Sequence, residues 1–150
     1  GREYHTEGLI GADLNMHGFI DRLDRWEGSD GSIHWSISDY KTGKLPKRES
    51  YMDKYWMQLG SYALMVKAQL GIDVDMLRLV YTEAGVRSGV KTKPWTEQEA
   101  AKTANRLLSI WKQMKRSATT GEWEPKKGVL CNWCYFQNIC PAWAEDYNLV

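Results

Sequence analysis

The sequence predicts a mixed α/β or α+β domain, in which a central mixed β-sheet is flanked by helices. Strand-like alternation dominates the first third of the chain, and two later segments repeat apolar residues at helical spacing. The predicted order is β-β-β-α-β-(β)-α, followed by a tail that bears cysteines. At 150 residues the chain has the size of one domain, and we predict a core over residues 1–117 and a tail over 118–150.

Three strands are predicted before the first helix. Residues 7–15 and 17–26 combine apolar residues with glycines that indicate bends or bulges. The turn EGSDGS, residues 27–32, leads into residues 33–39, where apolar and polar residues alternate with a period of two. This last segment therefore predicts a strand with one buried face.

The remaining elements are two helices with strand-like segments between them. Apolar residues recur every three or four positions over 51–70, and Gly71 predicts the end of that helix. Residues 74–83 form a further strand, with a less regular one at 89–92. The capping box TEQE at 96–99 predicts the start of the second helix.

The composition is that of a globular protein with an uneven distribution of charge. No apolar run approaches the ~20 residues that a membrane span requires, so we expect no membrane association. Residues 1–30 hold seven acidic and three basic side chains, whereas residues 100–130 hold seven basic and two acidic ones. This asymmetry favours an acidic metal site and a polyanion-binding face, although solvated helix faces produce similar counts. The chain begins with Gly-Arg-Glu, and we expect it to be a piece of a longer protein.

The turn at 27–32 predicts an antiparallel pairing that brings two carboxylates together. A register with Arg25 opposite Trp35 separates an apolar face from a polar one, which a slip by one residue would mix. Its predicted pairs are Leu23–Ile37, Asp21–Asp39, Phe19–Lys41, Ile20–Tyr40, Arg22–Ser38 and Asp24–Ser36. Directly opposite residues have Cβ atoms about 4.5–5.5 Å apart, and two carboxylates so close favour a bound cation such as Mg²⁺.

Lys41 lies two residues after Asp39 and therefore projects to the same face of the strand. The simpler interpretation of this pair is an exposed salt bridge worth about 0–1 kcal/mol. Asp24 lies on the opposite face and is predicted to pair with Arg22 or Arg25. His17 shares the parity of Asp21 and could approach a metal, although isolated strand histidines are more often structural.

Three stretches resemble the core of the PD-(D/E)xK nuclease superfamily, specifically its RecB-like branch: GFIDRLDR, SDYKTGK and QLGSYALMV. The resemblance implies a restriction-endonuclease-like fold and covers residues 7 to 141. Positions matching the motifs of that family are Asp21, Asp39, Lys41, Gln58 and Tyr62. In such nucleases, the carboxylates and the carbonyl corresponding to that of Tyr40 bind Mg²⁺ or Mn²⁺, and the lysine orients the attacking water.

The implied function is metal-dependent exonucleolytic hydrolysis of DNA, on single strands or ends, in recombination, repair or phage DNA processing. Basic residues in 41–54, and Lys112, Lys115 and Arg116, would contact phosphates. Tyr51, Tyr55 or Trp56 could stack on bases. The alternative is a non-catalytic DNA-binding or scaffold module of a helicase–nuclease assembly, and either implies a helicase or recombination protein as a partner.

Cys131, Cys134 and Cys140 form the pattern C-x2-C-x5-C-P. An odd, clustered set is typical of a metal or cluster site in a reducing cytoplasm. The pattern resembles the C-terminal cysteines of iron–sulfur nucleases, including CRISPR-associated four-cysteine exonucleases and AddB-type subunits, which implies a structural [4Fe–4S] cluster. The fourth ligand is not in this chain, so it would come from a missing segment or a different ligand. Zinc with a histidine and three buried free thiols are the alternatives.

Overall fold

The computed structural model describes residues 3–84 and 88–143. Its strands are β1 (Tyr4–Ile10), β2 (Leu14–Ile20), β3 (Arg22–Glu27), β4 (Ile33–Lys41), β5 (Met76–Tyr81) and β6 (Val90–Pro94). The α-helices are α1 (Asp53–Leu70) and α2 (Glu97–Thr120). Short 3-10 helices occupy Glu49–Met52, Thr82–Ala84, Val129–Trp133, Gln137–Ile139 and Pro141–Trp143. None of the helices in these two ranges is both long and apolar enough to cross a membrane.

Two sheets are present among the described residues. β1 and β2 form an antiparallel pair, and the second sheet has the order β3-β4-β5-β6. Only the β4–β5 pairing of that sheet is parallel, and α1 lies in the connection between them. The predicted mixed sheet with flanking helices is therefore confirmed, whereas four strands precede α1 instead of the predicted three.

The first two strands differ from the prediction in their boundaries. Their turn falls at residues 11–13, and the expected strand 17–26 is interrupted by a bend at Asp21. β2 pairs with β1, which places Ile20 opposite Tyr4 and Phe19 opposite His5. The predicted pairs Ile20–Tyr40 and Phe19–Lys41 are therefore wrong, because the chain changes sheets at the bend.

The predicted register of β3 and β4 is confirmed from Arg22 onward. Arg25 lies opposite Trp35, Leu23 opposite Ile37, and Arg22 opposite Ser38. The ladder ends at Arg22–Ser38, one position before the expected Asp21–Asp39 pair. The alternation thus fixed the register correctly, while the end of the pairing is set by the bend.

The core lies between α1 and the apolar face of the sheet. Its buried residues include Ile20, Ile37, Leu59, Ala63, Val66, Leu77 and Leu79. α1 ends at Gly71, which has φ +68° and donates its N–H to the carbonyl of Lys67, as the sequence predicts. β1 is tied to the same helix because Gln69 Oε1 accepts hydrogen bonds from the Thr6 hydroxyl and the Glu7 N–H.

Asp75 connects the start of β4 to the segment before β5. Its Oδ2 accepts the Trp35 N–H at 2.7 Å, and its Oδ1 lies 3.1 Å from Nδ1 of His34. Burial alone would raise the pKa of Asp75, but the hydrogen bonds from Trp35 and His34 lower it below its usual value. The ionised Asp75 carboxylate therefore stabilises the parallel pairing of β4 with β5.

Asp75→Asn should destabilise the protein by about 1 kcal/mol at neutral pH, because charge-assisted hydrogen bonds are lost. The loss should be no larger, because Asp75 is partly solvated. Since its folded pKa is lowered, this contribution is present above the ordinary pKa of aspartate and is lost as pH falls through the folded value. Urea unfolding at several pH values should show the difference from wild type shrinking in acid. Asp73→Asn is the control, because that side chain is 83% exposed in its pair with Lys67; an equal loss in both variants would contradict the prediction.

The chain divides into two compact units, one ending at Trp111 and the other beginning at Lys112. In the described part of the second unit, 3-10 turns follow α2, and the Lys127 Nζ lies 4.0 Å from the ring centroid of Trp143. The last described element is the 3-10 turn Pro141–Trp143, and residues beyond it lie outside the described part. The domain boundaries drawn from the sequence remain predictions.

Candidate active site

Asp39 and Lys41 project toward the buried side of β4, near its C-terminal end. Asp39 is 6% exposed, and the Lys41 Nζ lies 2.6 Å from its Oδ2. This oxygen is therefore held by an ion pair with Lys41. Burial raises the pKa of Asp39, and the charge of Asp21 adds to the increase, whereas the Lys41 ammonium opposes it. A buried carboxylate in this state favours an additional cation.

Asp21 occupies the bend between β2 and β3. Its Oδ2 accepts the backbone N–H of Tyr40 at 2.8 Å, so the carboxylate is held at the edge of β4. The two acids are close enough for Asp21 to influence the pKa of Asp39, although they are not a ladder pair. A surface pocket of about 780 Å³ is lined by Asp21 together with Arg22, Asp24 and Tyr40, whereas neither Asp39 nor Lys41 lines it.

Gln58 and Tyr62 lie one turn apart on α1, as their spacing predicts. The Gln58 Nε2 donates to the Tyr62 hydroxyl at 2.9 Å, so the two polar ends form one unit. The ring of Tyr62 passes over Gly18 of β2, where an added Cβ would lie 2.6 Å from Cε1. Gly18 therefore allows the approach between the strand that leads to Asp21 and the helix that carries Tyr62.

Gly18→Ala should displace the Tyr62 ring, because a Cβ cannot occupy that position without a shift. We expect a loss of about 1–3 kcal/mol in stability, the usual cost of overpacking. Chemical denaturation would measure it. Gly128→Ala is the control, since its Cβ would meet open space. If the loss is unchanged when Tyr62→Leu makes room for the methyl group, the steric explanation is wrong.

Several sequence-predicted roles have a definite structural outcome. Asp24 forms the expected surface pair, with its Oδ1 2.7 Å from the Nε of Arg22. His17 is exposed, and its ring centroid lies 6.4 Å from that of His5 in the small sheet. The described contacts thus place His17 among aromatic side chains.

Two aromatic residues lie near Lys41, of which Tyr55 was expected only to stack on bases and Tyr81 was given no role. Tyr55 of α1 contacts Lys41, and Tyr81 at the end of β5 pairs in register with Lys41. The Tyr81 hydroxyl is buried without a hydrogen-bond partner in the described part of the chain. Its pKa is raised by burial, and Tyr55 and Asp39 add to the increase. Spacing on α1 could have placed Tyr55 beside Gln58, but only the folded chain shows the contact with Lys41.

The carboxylates of Asp21 and Asp39 are the residues that could hold a divalent metal. Among residues 3–84 and 88–143, no three or more His, Cys, Asp or Glu side chains form a metal-binding group. Mg²⁺ needs only one or two carboxylates, because waters and substrate phosphates complete its coordination, and these two acids fit that requirement. The thiols of Cys131, Cys134 and Cys140 do not meet as such a group. The iron–sulfur cluster therefore remains a prediction.

Exposed basic side chains occur in the segment that follows β4 in the sequence. The segment after β4 exposes Lys44, Lys47, Arg48 and Lys54. Tyr51, in the same stretch, is 59% exposed. These residues form a polar surface with an accessible aromatic ring, which suits an extended polyanion. In the second unit, Lys112, Lys115 and Arg116 are also exposed.

Comparison with known families agrees with this geometry. The model of the PD-(D/E)XK nuclease superfamily matches residues 1–141. A search of curated proteins found no match. Because the family match spans nearly the whole chain and includes both carboxylates and the lysine, the chain belongs to the PD-(D/E)XK nuclease superfamily.

Proposed function

We propose that this nuclease is a Mg²⁺- or Mn²⁺-dependent DNA exonuclease of the RecB-like branch, acting on single strands or DNA ends. The observation that carries the proposal is the buried Asp39 carboxylate, whose pKa is raised by burial and by the charge of Asp21 even though Lys41 pairs with it. Such an arrangement is costly for a purely structural role, because burial and a neighbouring like charge both disfavour the ionised form. A site awaiting a cation and a phosphate accounts for it.

Asp21, Asp39 and the carbonyl oxygen of Tyr40 would hold the metal. When bound, a divalent ion polarises a phosphoryl oxygen and lowers the pKa of a water ligand. Lys41 contributes a positive charge at the same place, where it can orient the attacking water and stabilise charge that develops on the phosphate. The Gln58–Tyr62 unit presents an amide and a hydroxyl from α1 that can position the scissile strand.

The basic segment after β4 would bind the DNA backbone through the exposed Lys44, Lys47 and Arg48. Contacts of this kind neutralise phosphates and make affinity fall with salt, without reading the base sequence. The exposed ring of Tyr51 offers a surface for base stacking. We propose roles in recombination, repair or phage DNA processing, with a helicase or recombination protein as partner.

Cleavage of end-labelled single-stranded DNA in Mg²⁺ or Mn²⁺ tests the proposed function. Linear and circular single strands should be compared, because an exonuclease degrades only the linear form. Release of mononucleotides or short products from the linear strand would support exonuclease action, and cleavage of the circle would contradict it. Binding without hydrolysis in either metal would favour the non-catalytic scaffold.

The three C-terminal cysteines are proposed to bind a [4Fe–4S] cluster with a fourth ligand from outside this chain, in a reducing cytoplasm. Their spacing supports this assignment. Anaerobic purification followed by visible absorption and metal analysis would distinguish iron–sulfur, zinc and metal-free protein. Zinc without iron would overturn the cluster assignment.

A further inference from the structure

The aromatic ring of Tyr55 lies against the ammonium group of Lys41. The Lys41 Nζ is 4.2 Å from the ring centroid, inside the ~6 Å range in which a cation is attracted to an aromatic face. Tyr55 is half-buried and packs against the hydrophobic core, so its ring is fixed by its surroundings. It therefore offers Lys41 a stable surface.

Lys41 is itself largely enclosed, since its side chain is 19% exposed. Two described contacts hold its ammonium: the Asp39 carboxylate at 2.6 Å and the Tyr55 ring. Asp39 is also a proposed metal ligand, and a carboxylate shared with a second cation attracts the lysine less strongly. The ring carries no net charge, so it can hold Lys41 without competing for a metal.

The position of Tyr55 on α1 links this contact to the substrate side of the site. Gln58 and Tyr62 follow it by three and seven residues, so all three lie on one face of the helix. Burial raises the pKa of Tyr81, which pairs in register with Lys41, and Tyr55 adds to the increase. One helix face thus carries both the residues proposed to contact DNA and the ring that contacts the lysine.

We propose that Tyr55 is a positioning residue, whose ring holds the Lys41 ammonium in the place where it acts on the phosphate. The inference rests on the proposed nuclease function and extends it to a residue outside the motifs that match the family. The role depends on the aromatic face, so phenylalanine should replace tyrosine and an aliphatic residue should not.

Tyr55→Phe removes the hydroxyl but keeps the aromatic ring. Tyr55→Leu removes the ring but keeps an apolar side chain that can pack in its place. With a labelled single-stranded oligonucleotide, Tyr55→Leu should lower kcat by about tenfold, because a desolvated cation–π contact is lost. KM should change by less than about twofold, since substrate binding relies on other phosphate contacts. Tyr55→Phe should retain kcat within about twofold of wild type, because its aromatic face still attracts a cation.

Trp26 provides a matched control. Its ring centroid lies 5.5 Å from the guanidinium carbon of Arg78, and it pairs with His34, at the opposite end of β4 from Asp39. Trp26→Leu removes a contact between an aromatic ring and a cation away from the carboxylates, so it should leave kcat unchanged. A loss of kcat in Trp26→Leu equal to that in Tyr55→Leu would overturn the specific link to Lys41.

A second readout does not depend on activity. A lysine beside an aromatic face has ring-current-shifted side-chain NMR signals, so Lys41 should show such shifts in wild type and Tyr55→Phe, and ordinary values in Tyr55→Leu. Assignment would come from Lys41→Arg.

The outcomes separate this inference from the nuclease proposal. Unshifted Lys41 signals in wild type overturn the inference, as does equal kcat in an active wild type and Tyr55→Leu. Equal losses in the Phe and Leu variants also overturn it, because the hydroxyl would then be responsible. A wild type that binds but does not cleave DNA overturns the proposed function and, with it, the catalytic purpose of the contact.

Discussion

Asp39→Asn should reduce metal-dependent DNA cleavage by about a thousandfold or more, since a bound metal supplies several kcal/mol of transition-state stabilisation and about 1.4 kcal/mol is worth tenfold. Asparagine preserves the shape of the side chain but removes the charge from a buried position beside Asp21 and Lys41. The loss should appear in kcat, because the metal acts on the reacting phosphate. Asp21→Asn should have the same direction of effect.

Asp24→Asn is the matched control for this loss. Asp24 is also an aspartate of the β3–β4 hairpin, but its carboxylate pairs with Arg22 on the other face of the sheet. It should retain activity within about twofold, as expected for a surface ion pair. DNA binding by Asp39→Asn should persist, because the exposed lysines supply it. If Asp39→Asn kept more than a tenth of wild-type activity, Asp39 could not be a required metal ligand.

Sequence periodicity predicted the pairing of β3 with β4 well, but the single buried face expected for β4 is wrong, because Ser36 and Ser38 on its other face are also buried. The alternation of apolar and polar residues through Ile37 and Asp39 predicted β4. Matching the apolar face of β3 to that of β4 then predicted the correct register. Helix α1 was equally clear, since its apolar stripe ends at Gly71. Local sequence was sufficient wherever one face is apolar.

The same reasoning could not locate the bend at Asp21. Residues 17–26 have continuous strand character, so nothing local shows that Ile20 pairs with Tyr4 in a different sheet. The bend depends on the distant strand β1, and it determines where Asp21 lies. The motif residues could be predicted in advance by resemblance, whereas the position of Tyr55 over Lys41 depends on how α1 packs.

The other large effect concerns the stability of the metal-free protein, in which Asp39→Asn should raise the melting temperature. The raised pKa of Asp39 means that its surroundings disfavour the ionised form, despite the Lys41 ammonium. Neutralising it should therefore stabilise the metal-free fold, which a higher melting temperature would show. Because the folded pKa is raised, wild-type stability should fall as pH rises through that value, and Asp39→Asn should lack this decline.

Divalent metal should reverse the order of the two proteins. A ligand present at one hundred times its Kd stabilises the folded state by about 2.7 kcal/mol, so saturating Mg²⁺ or Mn²⁺ should raise the melting temperature of wild type by roughly 5–10 °C. Asp39→Asn should respond weakly, because it lacks a ligand. Thermal scans with chelator and with each metal provide the comparison, and Asp24→Asn should follow wild type in both.

A gain in stability with metal that is equal in wild type and Asp39→Asn would place the metal elsewhere. A metal-free Asp39→Asn that melts below wild type would show that the ion pair with Lys41 outweighs the cost of burying the charge. Asp39→Asn should therefore melt above wild type without metal and below it with metal. This reversal is expected only if the carboxylates that bind a cation lower the stability of the metal-free fold.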